Sequence, residues 1–356
     1  MIQPVVSVVV PTYNRAHCLS HAVDSILAQS YPRCEIIVVD DGSTDSTASM
    51  MSARYGANER VRYLQQGNAG VSAARNAGFR AASGDYVALL DSDDVWKSWK
   101  IEVQLACLQA LPQVGMIWTD MEAVDPQGVK VLDRYLRVMY NAYRWFGRDE
   151  LFTERRRLDE LTRVACAATP GAVVGWGDIF SQMVMGNLVH TSTVLLTRER
   201  LAKVGGFNEG LHVTGEDYDF HLRTCREGPV AFIDVSSIEY QIGGADQLTH
   251  PSLTIHMAEN FLKTIEPIIE HDRARIRLPN HMIRSVLAEA HGWIGSEMLK
   301  HDRTREARRE LALSLRCAPL HARTWLTLLA ACMPESSRKT MHGLYRRLTK
   351  HESVTP

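Results

Sequence analysis

From Val5 to Leu90 the chain alternates apolar strand with helix, and each strand stops at a polar loop. Val5 to Val10 is β-branched and ends at Pro11, the pattern of a strand buried on both faces. A helix is expected from His17 to Gln29, and a second strand from Glu35 to Val39. That strand runs into the turn "DDGSTDST", Asp40 to Thr47, where Thr44 is placed to cap a helix reaching Tyr55. Val61 to Leu64 is a third strand. "GNAGVSAARNAGFRAASG" then holds an Ala-rich helix from about Val71 to Ala82, closed by Gly84, before a fourth strand, Asp85 to Leu90. Such alternation specifies a mostly parallel α/β sheet, whose ligands gather at the carboxyl edge. Pro11, Asp40 and Asp91 all fall just past strands, so three polar loops can converge on one crevice.

The last of these loops, in "YVALLDSDDVW", sets Asp91, Asp93 and Asp94 side by side. Three like charges at a strand end destabilise it unless a ligand uses them. On an extended backbone Asp91 and Asp93 share one alternation phase and Ser92 points elsewhere. Hard oxygen ligands suit magnesium or manganese, with phosphate oxygens and water completing the shell. Asp94 either adjusts the loop or caps a helix beginning near Trp96. Other phosphate and hydrolase chemistries lack their signatures: there is no P-loop ending in Gly-Lys-Ser/Thr, no GxGxxG after the first strand, no GxSxG elbow and no HExxH.

Further on, Lys97 to Ala110 reads as helix, Gly115 to Thr119 as strand, Thr191 to Leu196 as strand, Tyr218 to Arg226 as helix and Pro229 to Asp234 as strand. Between them, Pro126 to Val184, which carries Arg155, Arg156 and Arg157, reads as a strand turn followed by helical or irregular cover. From Leu253 the pattern turns helical, with short helices at Thr304 to Leu315, Ala322 to Ala331 and Ser337 to Leu348. A net charge of −1, from 40 Lys and Arg against 41 Asp and Glu, argues against a nucleic-acid binder. Seven cysteines without close pairing favour a reducing compartment. The opening MIQPVVSVVV lacks the basic start and length of a signal peptide, and no apolar run approaches the ~18 residues of a membrane span. The expectation is a cytoplasmic protein, with peripheral contact at the inner face of the membrane left open, as is its oligomeric state.

"VSVVVPTYNRAHCLSHAVDSILAQSY", "EIIVVDDGSTDST", "GNAGVSAARNAGFRAASGDYVALLDSDDVW" and "GGFNEGLHVTGEDYDFHLR", in that order, resemble the family 2 glycosyltransferases, inverting enzymes of the GT-A class. The resemblance covers Val6 to Arg223. It implies a Rossmann-like α/β sheet flanked by helices, a nucleoside-diphosphate sugar donor, UDP-linked by family weight, a divalent cation, Mn2+ or Mg2+, and an acceptor hydroxyl on a glycan or lipid-linked saccharide. The expected division is a GT-A domain over 1–245, donor-binding to about 120 and acceptor-binding beyond, followed by a helical extension over 246–356.

By the same resemblance, Pro11 and Thr12 shape the nucleotide floor and Tyr13 offers its ring to the base, packing into the core being the alternative. Asp40 accepts from the base and Asp41 organises the turn. Arg75 meets base or phosphate, or forms an internal ion pair. Asp91 and Ser92 lie against the donor, and Asp93, with Asp91, is the metal ligand. In "GEDYDF" the family's base falls on Asp217, with Glu216 as its neighbour and Asp219 at the helix start. The chain departs from the family's Tyr-Arg-x-His element: "EYQIGGADQ" has Gln241 and Gly243 there, and His190 or His250 are the substitutes considered. A noncatalytic glycan-binding protein on the same fold and a sugar-phosphate nucleotidyltransferase are the other readings.

Overall fold

The computed structural model describes residues 3–147, 150–162, 164, 169–211, 213–243 and 254–334. The chain divides into two compact units, Met1–His250 with Ala274–Ile276, and Pro251–Arg273 with Arg277–Pro356.

Eleven strands are present among the described residues of the first unit: β1 (Val6–Thr12), β2 (Cys34–Asp40), β3 (Val61–Gln65), β4 (Tyr86–Leu89), β5 (Val95–Trp96), β6 (Met116–Val124), β7 (Lys130–Leu132), β8 (Glu154–Arg157), β9 (Val173–Gly177), β10 (Leu195–Thr197) and β11 (Val230–Gln241). They form one sheet in the order β3-β2-β1-β4-β10-β6-β11-β9-β8, with β5 on β11 and β7 on β6. The first four strands in this order are parallel. β10 runs antiparallel to both β4 and β6, and β6 is parallel to β11. The chain fills β2 and β3 on one side of β1 and then crosses to β4 on the other, so the order switches between β1 and β4, where an α/β sheet opens a crevice at its carboxyl edge. Thr12 pairs with Asp40, and Asp91 lies two residues beyond the pair Val9/Leu89.

Helices α1 (Leu19–Leu27), α2 (Thr47–Tyr55), α3 (Val71–Ala81) and α4 (Lys100–Ala110) connect these strands. Val8, Val9, Val10, Ile36, Ile37, Val38, Val39 and Leu89 are fully buried, as expected for parallel strands covered on both faces. The small residues of α3 let it approach closely: Ala74 packs with Ile37 and Val39, flanked by Ala77 and Ala81. At Gly78 a Cβ would stand 2.2 Å from Val9 Cγ1.

Several expected boundaries shift. The Asp45 carboxylate, rather than Thr44, accepts from the Thr47 N–H at the start of α2 (3.0 Å). Thr44 instead donates its N–H to Asn14 Oδ1 (2.8 Å). Val95 and Trp96 pair with β11, so α4 begins only at Lys100 and Asp94 caps no helix. Thr191–Thr193 is a 3-10 turn, because Thr193 turns its N–H and hydroxyl back to the His190 carbonyl (3.0 and 2.6 Å) and leaves the ladder to begin at Leu195.

The second unit contains the helices Thr254–His271, Asn280–Lys300, Thr304–Cys317 and Ala322–Cys332. Ile255, Ala258, Ile294, Met298 and Ala307 form its core. The expected helix at Ser337 to Leu348 lies outside the described residues, as does His250. No helix among the described residues is long and apolar enough to cross a membrane.

Gly78→Ala sets a helix-propensity gain of about 1 kcal/mol against overpacking of about 1–3 kcal/mol. With Val9 immovable in the core, overpacking wins. The expected result in urea denaturation is a net loss of stability that disappears in a Val9→Ala background.

Candidate active site

The loop after β1 and the loop after β2 are tied together by Asn14. This residue adopts φ 53°, a left-handed conformation that Asn tolerates better than most residues. Its N–H donates to Ser43 Oγ (2.8 Å), and its Oδ1 accepts from the N–H groups of Thr44 and Asp45 (2.8 and 3.3 Å). Pro11 and Thr12 are buried beneath this knot, while Tyr13 is 48% exposed and takes no part in the core.

Asp40 is fully enclosed. One oxygen accepts from the Ser43 N–H (2.8 Å) and the other from the Tyr63 hydroxyl. In this geometry Asp40 positions Tyr63 and the turn. Asp41 accepts from the Gln66 side chain (2.8 Å) and from the N–H groups of Ala69 (2.9 Å) and Gly70 (2.7 Å), which fixes the loop leading into α3.

The acidic segment is a turn, closed by the Asp94 N–H on the Asp91 carbonyl (3.1 Å). Asp91 and Asp93 thus do not share an extended phase. Asp91 turns toward Arg75, and Asp93, a third exposed, lies 3.9 Å from Arg15. Ser92 is buried in the turn. The Ser192 hydroxyl accepts from the Asp91 N–H (3.0 Å) and bonds the Asp94 carboxyl. Burial opposes the charge on Asp91, yet the Arg75 guanidinium outweighs it and holds that carboxyl below the usual range. Burial and the neighbouring Asp91 push Asp93 up, and burial with both neighbours pushes Asp94 well up.

Arg75 is 4% exposed. Its two terminal nitrogens donate to Asp91 Oδ1 (2.7 Å) and Glu216 Oε1 (2.8 Å), and its plane covers Phe207 at 4.9 Å. The internal ion pair is what the geometry provides; both terminal nitrogens are committed. It joins the acidic turn to the helix Glu216–Arg226, which Gly215 enters at φ 87°. One residue later stands Asp217, receiving Asn187 Nδ2 at 3.1 Å. Burial and the charge of Glu216 raise its pKa to about 7. Asp219 instead pairs with Arg223 (2.7 Å), whose other donors hold the carbonyls of Val204 and Gly206. The "GGFNEG" loop is further clamped by Asn76, which exchanges two hydrogen bonds with the Phe207 main chain (2.7 and 3.0 Å).

His190 and His221 are buried behind Asp91, and burial lowers them to about 4 and about 3, so both are neutral near pH 7. His190 meets the Tyr240 ring edge-on at 5.2 Å between centroids. Gln241 closes β11 opposite Val124, and Gly243 is left-handed at φ 83°. Sequence reasoning missed Asn14, Arg15, Asn187 and Ser192. Asn14 and Arg15 lie in the loop just past the first strand, where an Asn is a local signal; Asn187 and Ser192 reach the site from distant segments.

The donor set fits a divalent cation. Asp94 Oδ2 is buried without a partner, and the turn holds more negative charge than Arg15 and Arg75 offset. Among the described residues no group of three His, Cys, Asp or Glu is arranged to hold an ion.

A parallel half-sheet with its polar loops at the switch point, joined to a mixed half-sheet bearing a second acidic centre, is the GT-A fold of glycosyltransferases. Residues 7–168 match the profile of glycosyl transferase family 2. A putative teichuronic acid biosynthesis glycosyltransferase, TuaG of Bacillus subtilis, is 45% identical over 105 residues, 29% of this chain and 41% of the relative. S. aureus TarS 1–349 in complex with UDP-GlcNAc superposes with a TM-score of 0.53 at 15% identity, covering 94% of this chain and 92% of that one. The mannosyltransferase PcManGT of Pyrobaculum calidifontis in complex with GDP-Man and Mn2+ gives 0.52 at 19% identity, covering 93% and 85%. The chain spans 32–35% of the length of the first three curated relatives it matches.

Replacing Arg75 by Met strands the buried Glu216 and the partly buried Asp91. A loss of about 3–5 kcal/mol is expected in chemical denaturation. Arg75→Lys recovers only part of it, because an ammonium cannot span both partners as the fork does.

Proposed function

We propose that this chain transfers a sugar from a nucleoside-diphosphate sugar, UDP-linked by family weight, to a hydroxyl of a glycan or lipid-linked saccharide, with inversion at the anomeric carbon. The observation that carries this reading is the Arg75 bridge, which ties the donor-side turn at Asp91 to Glu216 and so brings Asp217 to the same space. The nucleotide sugars held by the two fold neighbours, and the polysaccharide role printed for TuaG, agree with it.

In this mechanism Pro11 and Thr12 form the floor of the nucleotide site, and Tyr13, free of the core, covers the base. Ser92 and Asp91 line the donor's ribose and diphosphate. Asp93, with Asp91, would hold Mn2+ or Mg2+, which when bound neutralises the departing diphosphate. Asp217 takes the proton of the acceptor hydroxyl as its oxygen bonds to the anomeric carbon, and the bond to the diphosphate oxygen breaks on the opposite face. One displacement inverts the configuration. A base with a pKa near 7 suits this task, being largely ionised just above neutrality yet basic enough to accept the proton. Asn187 orients the carboxylate, and Glu216 sets its basicity.

Asp217→Asn is expected to lower kcat by roughly 10²–10⁴ while donor affinity, read by calorimetry, changes little. Asp93→Asn should weaken donor binding in manganese and leave the metal-free affinity nearly unchanged. Equal loss of donor binding in both variants would count against the separation of roles. Hydrolysis or transfer absent for every nucleotide sugar, with binding intact, would instead favour a noncatalytic protein.

The pH profile supplies a separate test. Because Asp217 must be ionised, kcat/KM should rise with pH through an acid limb near the raised pKa of about 7. Glu216→Gln removes the charge that helps raise it, so the limb should move to lower pH. An unmoved limb would assign it to another group.

A further inference from the structure

Among its described residues the second unit carries an apolar face that its core leaves uncovered. On the helix Ala322–Cys332, Trp325, Leu326 and Leu329 are 47%, 68% and 57% exposed. At about 100° per residue they share one stripe with Met333 just past the helix end, 39% exposed. Thr324 and Ala331, on the opposite side, are buried and attach the helix to its neighbours. Leu320, in the turn before the helix, is 96% exposed. The Trp325 indole donates to the Pro319 carbonyl (2.8 Å), which pins the large ring at the turn instead of letting it fold inward.

Charge says what this face meets. Over the described residues 303–334 the sequence has six Arg and Lys against two Asp and Glu, a net +4 in a chain whose total is −1. A second copy of the chain would bring the same positive excess to the contact, so self-association here is opposed by repulsion. An anionic lipid surface reverses the sign. It accepts apolar side chains to the depth of the acyl boundary, favours Trp at the interface, and attracts each nearby Arg or Lys.

We propose that the stripe of Trp325, Leu326 and Leu329, with Leu320 and Met333, seats this unit on a bilayer rich in anionic lipid. The attachment is peripheral: a helix of eleven residues is too short to span.

The test is flotation of the full chain with vesicles of phosphatidylcholine alone or with added phosphatidylglycerol, at low and high salt. Binding is expected only with phosphatidylglycerol, and weaker at high salt. The double substitution Leu326→Ser with Leu329→Ser should lower the partition coefficient by about tenfold or more, with an unchanged thermal midpoint. Leu320→Ser, outside the helix, should lower it by a smaller factor and provides an independent reading. Absence of any dependence on phosphatidylglycerol overturns the proposal, as does binding that neither variant reduces. A fall in the thermal midpoint of these variants, or loss of a dimer seen by light scattering, means that protein already covers the face and overturns it equally.

Discussion

The site depends on one buried cation. Arg75 sits on the helix that packs most closely on the parallel strands, and its guanidinium reaches a carboxylate on either side of the crevice. The guanidinium also lies over Phe207, and Phe207 stacks on Phe220 of the helix bearing Asp217 (4.2 Å). A single planar fork thus sets the spacing of two acidic segments that are far apart in the chain. Without it, burial would drive Asp91 toward its neutral form.

The surrounding carboxyls divide by their neighbours more than by their depth. Asp91 faces Arg75 and stays ionised. Asp93 and Asp94 face other acids and are pushed toward protonation, which makes their turn receptive to positive charge. Asp217 is raised by burial and by Glu216, although Glu216 itself rests on Arg75. Four acids of one kind therefore take different roles through placement alone.

Much of the parallel half-sheet was legible from local pattern. Continuous β-branched runs specify strands covered on both faces, and the Ala-rich "VSAARNAGFRA" foretells a helix pressed onto them. The acidic turn was visible as composition, but its shape was not. Alternation treats Asp91 to Asp94 as strand, whereas the Asp94 N–H folds back on the Asp91 carbonyl and the pairing of Val95 and Trp96 with β11 ends any extended phase. The reading of Arg75 left phosphate and ion pair open, because nothing near it in sequence announces Glu216. Asn187 and Ser192 were invisible for the same reason: their partners are set by β10 and the turn before it, which no periodicity describes.

The antiparallel β10, inserted between β4 and β6, has a consequence for how such a domain can diversify. It returns the chain to the donor half with only a short ladder on each side, and it delivers Ser192 to the acidic turn. Everything from β7 to β9 is threaded as an excursion that closes on β11 at the far side of the sheet. Segments grafted or lengthened within that excursion would leave the hydrogen bonds of the first four strands untouched. The architecture thus separates a parallel half-sheet held by its own ladders from a segment whose length those ladders leave free.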